Sequence, residues 1–88
     1  MITKNKKKSE NGKVIEVELD YSDNVIFDIK ISGDFFAHPE DSIDNLQKSL
    51  YNAKKSDIEK IVTENLKDTQ LFGIVEKDIC SIIVEAMK

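Results

Sequence analysis

Ile31-Ser32-Gly33-Asp34-Phe35-Phe36-Ala37-His38-Pro39-Glu40 divides this chain in two. The stretch ends an alternating apolar run, places two aromatics in succession, and reaches a proline followed by acidic residues. Upstream the apolar residues recur with the two-residue period of strands; downstream they recur with the 3.6-residue period of helices. Strands first and helices after is the order of an α+β domain, in which helices gather on one face of an antiparallel sheet.

Working back from Gly33, residues 25–32 alternate, so Val25, Phe27, Ile29 and Ile31 are expected to point inward and Asp28 and Lys30 outward. Tyr21-Ser22-Asp23-Asn24 reads as the turn before them. The preceding run, Lys13 to Asp20, sets Ile15, Val17 and Leu19 against Glu16, Glu18 and Asp20, a strand with one wet face. A short turn makes the two strands an antiparallel pair. Ser9-Glu10-Asn11-Gly12 is a second turn, because Asn-Gly supplies the positive φ that tight hairpins need. Residues 1–8 alternate weakly and carry lysines. They, with the turn to residue 12, read either as an edge strand guarded by charge or as a flexible arm. The strand alternative gives a three-stranded meander.

Working forward, Pro39 fits the first turn of a helix, where its missing N–H costs nothing. Glu40, Asp41 and Asp44 suit the positive end of that helix, and Ile43, Leu46 and Leu50 share one face. Ser56-Asp57-Ile58-Glu59 has the form of a capping box for a second helix, whose stripe is Ile58, Ile61, Val62 and Leu66. The pattern breaks between Lys67 and Gly73. A last helix begins near Val75, with Val75, Ile79, Ile82, Ile83, Ala86 and Met87 inward.

Eighty-eight residues make a single domain, 1–88. Hydrophobic and charged contents of 40% and 34% fit a folded globular chain rather than a disordered one. No apolar run approaches the roughly 20 residues that span a bilayer, and no secretory h-region follows Met1, so no membrane is implied and the cytoplasm is the expected location. The net charge of −4 is uneven: residues 1–13 hold five lysines against Glu10, a net of +4, which leaves −8 for the rest. An acidic body argues against a nucleic-acid ligand, since phosphate contacts dominate that affinity. The lysine arm reads as a solvated edge, or as a reach toward an acidic partner. There is no arginine to clamp a phosphate bidentately.

Catalytic patterns are absent from the sequence. Cys80, the one cysteine, falls on the apolar side of the last helix, where a thiol packs as a small hydrophobe. His38, the one histidine, sits before Pro39 with no partner to orient it as a base, and reads as a cover for the helix entrance. No phosphate loop, dinucleotide fingerprint or metal spacing occurs, so this chain alone is not expected to be an enzyme or to bind a cofactor. Glu16, Glu18, Asp20 and Asp28 read as a solvated sheet face rather than a cation site. Adjacent strand residues point to opposite faces, so of Phe35 and Phe36 one is expected in the core and the other against a partner. The alternative packs both rings around the corner. Gly33 supplies backbone freedom there, and Asp34 a side chain that can hold the turn.

Asn11-Gly12-Lys13-Val14-Ile15, the run Ile31 to Phe36, and His38-Pro39-Glu40 together resemble the small C-terminal domain of lipoate–protein ligases. That domain opens a strand with Gly-Lys-apolar, ends one with Gly-Asp-Phe-Phe, and enters a helix through Pro-Glu. The resemblance implies a two-layer fold, a small antiparallel sheet of two or three strands beside about three helices, similar to iron–sulfur scaffold proteins. The scaffold's chemistry does not carry over, because it needs three cysteines. The implied function is that of an accessory subunit. A separate catalytic subunit, its partner in a heterodimer, would use ATP, magnesium and lipoate to form lipoyl-AMP and then lipoylate acceptor domains. None of its catalytic residues has a counterpart here. Lys13, Gly33, Asp34, Phe35, Phe36, His38 and Pro39 are the residues expected at the partner interface or in support of adenylation. A methionine-initiated chain of this length fits a separate subunit, although a fragment of a longer ligase would look the same. The competing readings are a stand-alone interaction or assembly scaffold of the same fold, and a small nucleic-acid binder using the lysine arm.

Overall fold

Period-two alternation folds the N-terminal half into a sheet. In the computed structural model, which describes residues 1–10 and 12–87, three strands run antiparallel in the order β1-β2-β3: β1 (Ile2–Lys8), β2 (Val14–Ser22) and β3 (Val25–Gly33). Ile15, Val17, Leu19 and Tyr21 of β2 are buried, as are Ile26, Ile29 and Ile31 of β3. The β2–β3 turn is Asp23-Asn24, with φ of 52° and 64°, the two positive values that a tight type I′ hairpin requires. Tyr21 therefore belongs to the strand and the core, not to the turn where its sequence neighbours suggest it.

The alternation of β3 also departs from its sequence reading. Tyr21 pairs with Ile26 and Asp20 with Asp28, so Phe27 is an extra residue with no partner of its own. This bulge shifts the phase by one residue, turning Ile26 inward and leaving Phe27 47% exposed.

The first eight residues form the edge strand. Thr3 and Asn5 face the helical layer: the Thr3 hydroxyl donates to the Ala86 carbonyl at 2.8 Å, and the Asn5 amide to that of Ile82 at 3.5 Å. Lys4 and Lys6 face the other way, opposite Glu18 and Glu16. Only Lys4 closes an ion pair, with Glu18 at 3.6 Å, and both side chains are exposed. Exposed pairs contribute little. Replacing Lys6 and Lys8 together by glutamine should change unfolding free energy by less than about 0.5 kcal/mol in a urea titration. Of the Asn11-Gly12 turn, Asn11 lies outside the described residues; Gly12 has φ +85° and donates to the Ser9 carbonyl at 2.9 Å.

Three helices cover the inner face: α1 (Ser42–Ser49), α2 (Ile58–Leu66) and α3 (Glu76–Ala86). Leu46, Leu50, Ile58, Val62, Leu66, Ile79, Ile82 and Ile83 bury their stripes against the sheet. Helix α1 starts at Ser42, so Pro39 precedes it rather than occupying its first turn. The Pro39 carbonyl instead accepts from the Ser42 N–H at 3.0 Å, closing a turn ahead of the helix. Ser56 does not cap α2 either. The link from α1 is tied to the β3 edge, with Ile26 donating to Ala53, Asn52 to Ile26 and Lys55 to Asn24. The chain leaves that edge through a 3-10 turn, Lys55–Asp57, and α2 begins after it without a side-chain cap. At α3 the Asp78 carboxylate accepts from the Val75 N–H at 3.0 Å, making Val75 the N-cap; its side chain is 52% exposed rather than core. The interval before α3 is not a simple break, since it holds a short strand described below. No helix among the described residues is long and apolar enough to cross a membrane.

Candidate functional site

Beyond Gly33 the chain makes a second, smaller sheet. β4 (Phe36–His38) pairs antiparallel with β5 (Gln70–Phe72), in the register Phe36–Phe72, Ala37–Leu71 and His38–Gln70. Directly opposed residues share a face with Cβ atoms about 5 Å apart. Ala37 and Leu71 take the inner face, where Leu71 packs on the core. Phe36, His38, Gln70 and Phe72 take the outer face, all exposed, and the two rings stand side by side at 70% and 50% exposure. Phe35, one residue earlier, turns the other way and packs against the core. A fully buried phenylalanine is worth roughly 1.5–3 kcal/mol, and this pair leaves most of that unrealised.

The ribbon is held firmly from beneath. The Asp34 carboxylate accepts from the Val14 N–H at 2.6 Å, and the Asp34 N–H donates to the Val14 carbonyl at 3.2 Å. That pairing continues β3 past its last residue and fixes the takeoff of Phe35. Gly33 permits it: a Cβ there would run into the Val14 carbonyl oxygen and meet the Phe35 ring at 3.0 Å. Gly73, which follows Phe72, has φ +94° and lies under the Lys13 side chain, so that a Cβ would run into its Cγ. The Gly73 carbonyl accepts from the Ser9 hydroxyl at 2.6 Å. On the far side, the Thr69 hydroxyl donates to that of buried Ser42 at 3.0 Å, tying the approach to β5 onto α1. The His38–Pro39 peptide is cis.

Lys13, Gly33, Asp34, Phe35, Phe36, His38 and Pro39 are thus brought to one end of the molecule, although only Phe36 and His38 share the ribbon's outer face. Sequence reasoning misses Gln70, Phe72 and Gly73, which complete the site. Their only signal is a polar-apolar-aromatic-glycine run too short to show a period. The site offers two rings, a lysine and an imidazole, with no acid–base pair. Such a set is chemically suited to contact with a surface rather than to bond-making.

A second feature is a shallow groove of about 700 Å³ between α2 and α3, lined by Glu59, Thr63, Glu76 and Cys80 among others. The Thr63 hydroxyl donates to the Glu76 carboxylate at 2.7 Å. Burial, then the negative charges of Glu76 and Glu59, push the Cys80 thiol above its ordinary value, so it is protonated at neutral pH. Because only the thiolate attacks, alkylation of the native protein by iodoacetamide at pH 8 should run several-fold slower than that of the urea-unfolded chain. Equal rates would show that the groove does not shield the sulfur. Among the described residues, no group of three or more His, Cys, Asp or Glu could hold a metal ion.

Residues 2–83 match the family described as the bacterial lipoate protein ligase C-terminus. The lipoate-protein ligase A subunit 2 of Thermoplasma acidophilum is 49% identical over 62 residues, which are 70% of this chain and 62% of that protein. The matched part is therefore under two thirds of that relative's length. The solved structure of an archaeal lipoylation system, a bi-partite lipoate protein ligase and its E2 lipoyl domain from the same organism, contains a similar chain. The TM-score is 0.83 at 30% sequence identity, covering 100% of this chain and 96% of that one.

Proposed function

Since this chain belongs to the family of the bacterial lipoate protein ligase C-terminus, we propose that it is the accessory subunit of a two-chain lipoate–protein ligase. The observation that carries the reading is the likeness over 96% of one chain from a bi-partite ligase, at 30% identity. The partner is then a separate catalytic subunit in the cytoplasm, forming a heterodimer with this one. That subunit binds ATP, magnesium and lipoate, forms lipoyl-AMP, and transfers the lipoyl group to an acceptor domain. This chain brings no nucleophile and no acid–base pair to the reaction, and it binds no cofactor alone. It docks through the end that carries Phe36 and Phe72, and completes or orders the adenylation site. The site's composition supports this division of labour, because aromatic surface without an acid–base pair suits assembly rather than bond-making.

Co-expression with the ligase-like catalytic chain of the same genome tests the reading. The two should co-purify, and lipoate-dependent ATP–pyrophosphate exchange should require both. This chain alone should give no exchange above the buffer blank. Exchange by this chain alone, or by the catalytic chain at the full rate of the pair, would overturn the assignment.

A further inference from the structure

Lys13 is held more closely than a solvated surface lysine needs to be. Its carbonyl accepts from the Ser9 N–H at 2.8 Å. The next residue, Val14, is bonded through both its N–H and its carbonyl to Asp34 and is crowded by Gly33, where a Cβ could not fit. Its side chain runs directly over Gly73, which leaves no room for a Cβ beneath the stem. Two glycines, one ending β3 and one following β5, thus clear space for Val14 and Lys13. Gly73 directly follows Phe72, the last residue of β5. Among the described residues, the ion pairs are those of the N-terminus with Asp20 and of Lys4 with Glu18, and Lys13 has none. The nearby Asp34 carboxylate is already engaged by a backbone N–H. The result is a lysine whose stem is seated over Gly73 and which, among the described residues, has no ion pair.

We propose that Lys13 delivers its ammonium to the phosphate chain of ATP bound in the catalytic subunit, an inference that rests on the two-subunit reading above. A compact ammonium on a guided stem suits a phosphate oxygen as a point charge. The chain has no arginine to take that role. Lys4 and Lys6 lie on the outer face of the sheet, opposite carboxylates. The stem already lies over Gly73 in the free subunit, so part of its rotamer freedom is given up before the charge engages.

The test compares the wild-type pair with pairs carrying Lys13→Met, which keeps the apolar stem, and Lys13→Arg, which keeps the charge. Three quantities are measured: the Kd of the two subunits, the Kd of ATP for the assembled pair by calorimetry, and kcat and KM for pyrophosphate exchange. Lys13→Met should leave subunit affinity within about threefold of wild type while weakening ATP binding and raising its KM roughly 10–100-fold. Lys13→Arg should recover most of that loss. Unchanged ATP affinity in Lys13→Met would overturn the proposal. So would a loss of subunit affinity with an unchanged ATP KM, which would place a carboxylate of the partner opposite the lysine. A wild-type pair that neither assembles nor exchanges would overturn the two-subunit reading, and this inference with it.

Discussion

Gly33→Ala should destabilise the isolated chain by about 2–4 kcal/mol, through strain and a clash that the backbone cannot relieve cheaply. The added Cβ meets the Val14 carbonyl oxygen, part of the main chain at the start of β2, rather than the end of a mobile side chain. That carbonyl also accepts from the Asp34 N–H, so moving it breaks the bond that launches the chain toward the ribbon. A domain of this size commands about 4–13 kcal/mol in total, so the loss is a large fraction of the whole. Gly12→Ala is the control. It also changes a glycine at positive φ, but a Cβ there meets nothing within 4 Å. Only the conformational strain remains, costing roughly 1 kcal/mol. Urea unfolding of both variants separates close approach from backbone strain. Equal losses would mean that Val14 yields, and that Gly33 is required for its dihedral angles alone.

The contrast between these glycines also shows where sequence reading succeeds and stops. A strand such as β2 is legible because its face is decided residue by residue, with Ile15, Val17 and Leu19 against Glu16 and Glu18. In β3 the run Val25-Ile26-Phe27 is apolar throughout and fits either phase. The choice falls to the bulge opposite Asp20, a property of the pair of strands rather than of either alone. Ser56 fails as a cap for a comparable reason. Its local pattern is sound, but hydrogen bonds to the β3 edge hold the chain in a 3-10 turn until α2 can begin.

The candidate site divides along the same line. The Gly-Asp-Phe-Phe run and the Gly-Lys opening are visible as motifs, and Phe35 and Phe36 separate as adjacent strand residues must. Phe72 is invisible as their companion, because β4 and β5 are three residues each and the paired Phe36 and Phe72 lie 36 positions apart. No local propensity announces a pairing of that kind. Gly73 is equally mute in sequence, since its role is defined by the Lys13 stem above it.

That pairing carries the other large effect. Phe36→Ala and Phe72→Ala should each leave the isolated chain nearly as stable as wild type, because both rings are at least half in water. In complex with the catalytic chain, each should cost about 1–3 kcal/mol of assembly, a roughly 5–150-fold rise in Kd, as expected of an aromatic anchor that becomes buried. The double variant should lose less than the sum, because neighbouring rings fill one pocket and each supports the other. Phe35→Ala should behave oppositely. Its ring packs on the core, and truncation should cost about 2–4 kcal/mol of folding stability, somewhat less than a fully buried ring would lose. Lipoate activation by the Phe36 and Phe72 variants should fall only as far as assembly does, and excess subunit should restore it. Melting temperature, subunit Kd and exchange rate together separate the cases. If either exposed-ring variant melts well below wild type while binding its partner normally, the pair is a packing corner, and the catalytic subunit docks elsewhere.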